Sequence, residues 1–240
     1  MTENKEMQSN ISNNQVSFLL LSGGIGARSE HHEPKQFFEL AGHPMIAYSL
    51  MAAAAVEEIG EIVINAPTGY EDRTHKIAEH YCKGTPFTVI ACGKTRQDSS
   101  RELAEAAQYD TLILHEAARP FVYPEMLKTL IACVDANAGY CQPIAFSMCR
   151  VAPATGHIVE GVPRDKTLNI QLPQKFAQDV FLSAHKCAAA RGEEYTEDSV
   201  MVVETTDQLF RVLPGTSRNL KVTTPLDFIV ATILKERLKA

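Results

Sequence analysis

The 240-residue chain contains no G-x-x-x-x-G-K-[ST] element, so it has no P-loop of the usual form. Its six cysteines, Cys82, Cys92, Cys133, Cys141, Cys149 and Cys187, form no C-x-x-C pair and show no paired metal-ligand spacing. Reduced core thiols in a cytoplasmic protein are therefore expected. No uninterrupted apolar run reaches the roughly 18 residues of a membrane-spanning helix. Residues 1–15 are polar and rich in Asn and Ser, lack the apolar stretch of a signal peptide, and read as a disordered tail. A basic excess is missing as well. Lys and Arg number 23 against 29 Asp and Glu, a net charge of −6. That excludes a broad nucleic-acid face but leaves room for a local basic pocket. Neither an internal repeat nor an interdomain linker is visible, so residues 16–240 read as one domain of ordinary globular composition.

What is present is organised around Leu19-Leu20-Leu21-Ser22-Gly23-Gly24-Ile25-Gly26-Ala27-Arg28, continued by Glu33-Pro34-Lys35-Gln36. The apolar run Phe18–Leu21 reads as a buried strand of a parallel sheet. It ends in three glycines within four residues, which let a ligand approach the backbone closely. A chain leaving a sheet in this way presents N–H groups that suit phosphate oxygens. With Arg28 and Lys35 following, the stretch points to a polyanion such as a nucleoside triphosphate. The third glycine is displaced from the G-x-G-x-x-G pattern. No acidic residue follows a strand about 20 residues later, which argues against a NAD-dependent oxidoreductase.

Downstream, strands and helices alternate. Strands are expected at Glu61–Asn65, Pro86–Cys92, Thr111–His115, Tyr140–Ser147 and Gln208–Leu213. Helices are expected over Pro44–Glu58 with Pro44 in the first turn, over Glu71–Cys82, from an Asp98 or Ser99 cap to about Gln108, and over Tyr123–Asn137. Another should run from Gln178 to Arg191 with Gly192 as its stop, and a last one should start at Thr224-Pro225 with Asp227 in its first turn. Met148–Leu172 lacks helical periodicity and reads as a hairpin about Ala154-Thr155-Gly156. This alternation predicts a three-layer α/β/α sandwich with a mostly parallel twisted sheet and an added β-arm. On the residues alone, Gly93–Ser100 reads first as a capping loop, Arg164 is equally a solvated hairpin charge, and Thr196 or Ser199 can be a helix cap.

In chain order the motifs G-G-x-G-x-R, P-K-Q-F, Gly42-His43-Pro44-Met45, Gly93-x-x-Arg96-x-x-Ser99, His115-Glu116-Ala117-Ala118-Arg119-Pro120, Leu172-Pro173-Gln174-Lys175-Phe176, Tyr195-Thr196-Glu197-Asp198-Ser199 and Lys221 ahead of Thr224-Pro225 resemble the 2-C-methyl-D-erythritol 4-phosphate cytidylyltransferase family, which includes ribitol-5-phosphate enzymes. The resemblance covers roughly 220 residues and implies the Rossmann-like nucleotidyltransferase fold. It implies transfer of a cytidylyl group from CTP to a polyol phosphate in isoprenoid precursor synthesis. Arg28, Lys35 and Lys221 would act on the reacting phosphates. Ser22, Gly23, Gly24, Gly26, Gly93, Arg96, Ser99 and Ala117 would hold the nucleotide, and Glu116 would hold Mg²⁺ or another divalent cation. Thr196 and Arg164 would contact the acceptor, Arg164 from a β-arm at about residues 147–172 that reaches a second subunit, which implies a homodimer.

Three positions depart from the pattern: Glu116 replaces Asp, Leu172 replaces a substrate-contacting Thr, and Arg218 stands where the family is often acidic. Ribitol 5-phosphate, another pentitol phosphate, or a non-catalytic nucleotide-binding role are the alternatives.

Overall fold

Along the first strand, side chains alternate between two separate cores. Phe18 and Leu20 join one buried cluster and Leu19 the other. The same alternation recurs in Ile62 and Ile64 against Val63, and in Ile113 against Leu112 and Leu114. A strand buried on both faces is continuously apolar for this reason.

The computed structural model describes residues 15–24 and 33–238. The expected tail up to Asn14, and Gly26 and Arg28, lie outside the described residues. The described strands are β1 (Val16–Leu21), β2 (Glu39–Leu40), β3 (His43–Pro44), β4 (Ile59–Ala66), β5 (Phe87–Ala91), β6 (Thr111–Glu116), β7 (Ala138–Pro143), β8 (Met148–Val151), β9 (Ile158–Val162), β10 (Leu168–Ala177) and β11 (Arg211–Pro214). The helices are α1 (Met45–Ala54), α2 (Glu71–Tyr81), α3 (Arg96–Ala106), α4 (Pro124–Ala132), α5 (Gln178–Arg191), α6 (Asp198–Thr205) and α7 (Pro225–Arg237).

Seven strands form one sheet in the order β11-β7-β10-β6-β1-β4-β5. Every pairing is parallel except those of β10, which runs antiparallel to both neighbours. Ile46 and Leu50 of α1, Ala78 of α2, and Leu127 and Leu130 of α4 cover one face. Leu103 of α3, Phe181 and Ala184 of α5, and Met201 of α6 cover the other. Each fully buried Leu, Ile or Phe contributes about 1.5–3 kcal/mol. The third layer is thus real, and the expected α/β/α sandwich is what forms. α7 lies apart, closing a smaller cluster of Leu40, Met45, Tyr48, Phe121, Val222 and Ala231.

Several local expectations need correction. Pro44 is the N-cap of α1, pairing with Glu39, and the helix stops at Ala54 instead of Glu58. α3 is capped by Thr95, whose hydroxyl accepts from the Asp98 N–H at 3.0 Å; Asp98 returns the bond to the Thr95 N–H and is the reciprocal half of a capping box. α4 ends at Ala132 because the Lys175 ammonium donates to the carbonyls of Ile131 and Cys133, at 3.4 and 2.6 Å. The next strand then starts at Ala138, two residues early, and β11 begins at Arg211. α6 has Glu197 at its N-cap with no side-chain bond, so neither Thr196 nor Ser199 caps it.

The hairpin is confined to β8 and β9, Met148–Val162. From Leu168 the chain is already a central sheet strand, with Pro173 in a register shift between Gln171 and Gln174. Leu172 is buried in the core. All six cysteines are free thiols as expected, but only Cys82 and Cys141 are buried, and Cys149 is exposed on the hairpin. The stop at Gly192 (φ 65°) and the Thr224–Asp227 capping box are as expected.

Two histidines are locked inside. His115 Nε2 lies 3.1 Å from the Arg119 carbonyl, which only accepts, so that nitrogen carries the proton. His185 sits between α5 and α3, its Nε2 3.4 Å from the Ser100 hydroxyl. Burial pushes both from the ordinary 6.5 down to about 4. The unfolded chain therefore takes up protons first. The contribution of these residues is complete above pH 6.5 and is lost as the pH falls through about 4. The thermal midpoint is expected to drop across that window, and His185→Gln should make the drop shallower. An unchanged slope in the variant would remove His185 from the account.

Candidate active site

The parallel strands β6, β1, β4 and β5 all end on one edge of the sheet. Open α/β sheets bind ligands at the carboxyl ends of their strands. A cavity of about 620 Å³ lies there. Its first wall is the chain leaving β1. Ser22 N–H donates to Asn65 Oδ1 at 2.5 Å, and the Gln36 side-chain amide donates to the Ser22 carbonyl at 2.5 Å. These two bonds fix the start of the glycine loop from either side. Gly23 must be glycine, since a Cβ there would stand 2.3 Å from the Cys92 Cβ.

The second wall follows β5. Gly93 N–H donates to the Ser99 hydroxyl at 3.1 Å, folding the loop back on the first turn of α3. Arg96, the first residue of that helix, reaches across to the buried Asp198 at the start of α6, at 2.6 Å. Burial opposes the Arg96 charge, but the Asp198, Glu197 and Glu116 carboxylates together outweigh it and raise the guanidinium pKa. Beside the pair, burial pushes the Glu197 carboxyl up, with Arg96 working in the other direction.

The third wall is the end of β6. The Glu116 carboxylate accepts from Arg119 Nε on one oxygen at 2.8 Å and meets Lys221 Nζ on the other at 2.7 Å. Burial would raise its pKa, yet Lys221 and Arg119 together hold it below the ordinary carboxylate value. Lys35 closes this side by donating to the Val222 carbonyl at 2.9 Å.

Ser22, Gly23, Gly24 and Lys35 therefore share one cavity with Gly93, Arg96 and Ser99, and with Glu116, Ala117 and Lys221. Arg164 and Thr196 are exposed and do not line it. Asn65, Gln36, Asp198 and Arg119 carry much of the geometry, and residue-by-residue reading assigned them nothing. The signal for Asn65 was a polar residue closing the apolar run Glu61-Ile62-Val63-Ile64-Asn65.

Removing either member of the Arg96–Asp198 pair should cost unequally. The Arg96 side chain is 30% exposed and can turn to water, whereas Asp198 at 2% cannot. Arg96→Met should lower unfolding free energy by about 3 kcal/mol, because it strands a buried carboxylate. Asp198→Asn should cost less. Equal losses in denaturant titrations would contradict this account.

Three comparisons bear on identity. The family model described as 2-C-methyl-D-erythritol 4-phosphate cytidylyltransferase matches residues 16–237. A protein of that name from Deinococcus radiodurans is 34% identical over 204 residues, covering 84% of this chain and 82% of its own length. Another from Burkholderia multivorans is 34% identical over 230 residues, covering 91% and 95%. Among solved structures, a 4-diphosphocytidyl-2C-methyl-D-erythritol synthase from Anaerococcus prevotii superposes with a TM-score of 0.82 at 22% identity, covering 94% of this chain and all of that one. The Thermus thermophilus cytidylyltransferase gives 0.75 at 24% identity, covering 92% and 99%. At such identities the structures speak for the fold, and the sequence matches carry the family. The chain belongs to the 2-C-methyl-D-erythritol 4-phosphate cytidylyltransferase family.

Proposed function

We propose that this protein joins CTP to 2-C-methyl-D-erythritol 4-phosphate, forming the CDP-alditol and releasing pyrophosphate. The observation that carries this reading is the set of cations around one cavity at the strand ends. Lys221 and Arg119 hold the Glu116 carboxylate, and Lys35 stands nearby on the Val222 carbonyl, with Ser22, Gly23 and Gly24 in the same cavity.

The chemistry needs no general base, because the acceptor phosphate is already an anion at neutral pH. An acceptor oxygen attacks the α-phosphorus in line, and the bond from that phosphorus to the β-phosphate bridging oxygen breaks. The electron pair leaves on pyrophosphate. Repulsion between two polyanions is the obstacle, so positioning and charge neutralisation supply the catalysis. Lys35 and Lys221 stand where they can grip the triphosphate and the incoming phosphate.

Glu116 suits a hard divalent cation such as Mg²⁺. It lines the cavity, is held ionised, and each of its bonded oxygens keeps a further lone pair. When bound, the cation would neutralise phosphate charge, its remaining ligands coming from phosphate and water.

Leu172 supplies no reason to prefer a different acceptor. Its side chain is buried in the core and does not line the cavity. The acceptor contact is proposed to come from Arg164 of a second copy. The hairpin that would carry it exposes Ile158 at 70% and Val159 at 62%, apolar surface that a homodimer would cover.

The test is pyrophosphate release with CTP and Mg²⁺ against methylerythritol phosphate, ribitol 5-phosphate, erythritol phosphate and no acceptor. Release with the first alone is expected; release only with ribitol 5-phosphate would overturn the acceptor assignment. Lys35→Ala should lower kcat by about 10²-fold or more, the scale of one lost transition-state contact. Its thermal midpoint should stay within about 3 °C of the parent. Wild-type turnover with an unchanged melting curve would remove Lys35 from the chemistry.

A further inference from the structure

The ion pair that joins α3 to α6 depends on a third residue. Among the described residues, Asp198 is the one group that the Arg96 guanidinium meets at bonding distance. Asp198 is buried, and its carboxylate accepts one side-chain hydrogen bond, from the Ser100 hydroxyl to Oδ1 at 2.7 Å. Oδ2 is the oxygen that faces Arg96. The two oxygens are thus divided between one hydroxyl and one cation.

The Ser100 hydroxyl has a single proton to give. The Gln97 carbonyl lies 3.1 Å away, and His185 Nε2, an acceptor in one tautomer, lies at 3.4 Å. The Asp198 carboxylate is nearer than either and charged, so it takes the proton. Ser100 has little freedom of its own. It is fully buried on α3, with His185 of α5 packed against it. It also follows Arg96 by four residues, and side chains at that spacing share a helix face. Hydroxyl and guanidinium therefore approach one carboxylate from the same helix, the first fixing its plane and the second answering to it.

We infer that Ser100 is a positioning residue for the nucleotide: it fixes the Asp198 carboxylate, and through that carboxylate the direction in which Arg96 faces the cavity. This rests on the cytidylyl-transfer reading and deepens it. Arg96 lines the cavity, whereas Ser100 is buried behind it and meets no ligand. Without the hydroxyl, the carboxylate turns about its Cβ–Cγ bond and Arg96 moves with it. A displaced holder of the bound nucleotide weakens binding and leaves the chemical step alone.

Ser100→Ala removes the hydroxyl and no charge, so the electrostatics of the cavity stay as they are. By calorimetry the Kd of CTP should rise about fivefold or more, and KM for CTP should rise with it. At saturating CTP and methylerythritol phosphate, kcat should stay within about twofold of the parent. Thr205→Val is the control for plain destabilisation. Its hydroxyl lies on the same helix as Asp198 but bonds to the Met201 and Ala184 carbonyls, at 2.7 and 3.4 Å, and to nothing of the Arg96 pair. Its CTP Kd should match the parent's even where its thermal midpoint falls as far. An unchanged Kd in Ser100→Ala overturns the inference, as does an equal rise in Thr205→Val or a loss of kcat with KM unchanged. A further arm needs no folded variant. In the parent, the NMR signal of the Arg96 Nε–H should move on titration with CTP, and an unmoved signal overturns the inference, because Ser100 then has nothing to act through. CTP binding without pyrophosphate release in the parent counts against the transfer reading alone, and the Kd comparison still decides the role of Ser100.

Discussion

The carboxylate of Glu116, buried at the end of β6, ties three distant segments into one site. Arg119 lies on one oxygen and Lys221 on the other. The Arg119 guanidinium also donates to the Asn219 carbonyl at 2.9 Å, and the Val222 N–H to the Ala118 carbonyl at 2.7 Å. Asn219 in turn donates to the Leu172 carbonyl of β10 at 2.7 Å, and Lys35 reaches the Val222 carbonyl. A central strand, an antiparallel strand, the turn after the glycine loop and the segment before α7 are thus joined in one network beside that anion. Breaking such a buried network is costly because each member leaves another unsatisfied.

Much of the frame was legible from pattern. β1, β4 and β6 are short apolar runs because both faces of a central parallel strand are covered. The glycine stop of α5 and the capping box of α7 are local chemistry. What escaped was set by tertiary contact. β10 contains Pro173, and proline in a strand ordinarily argues against a central position. Here it sits in a register shift, so the ladder loses nothing it needed. The end of α4 is set by Lys175, more than 40 residues away in sequence, whose ammonium takes the last carbonyls. No periodicity within Tyr123–Asn137 could show that.

The site divides in the same way. Glycines, lysines and a strand-end carboxylate advertise themselves by type and position. Side chains that aim other residues do not. Asp198 follows Thr196-Glu197 and looks like helix-start chemistry, yet its carboxylate is spent on Arg96 from another helix and on the Ser100 hydroxyl at 2.7 Å. Asn65 reads as the polar end of a strand until its oxygen is seen on Ser22.

The two cations on Glu116 are physically unequal, and the inequality suits them to different tasks. The Arg119 side chain is 8% exposed and its guanidinium is shared with the Asn219 carbonyl, so it cannot leave without stranding buried groups. Lys221 is 43% exposed at the same carboxylate. Because the Lys221 ammonium is open to water on its own side, it can leave the carboxylate without stranding a buried cation. One partner is thus a fixed support and the other a cation able to trade a carboxylate for a phosphate. Without Arg119, the departure of Lys221 would leave a buried anion facing a polyanionic ligand. With Arg119 in place, Lys221 can turn towards that ligand while Glu116 stays paired.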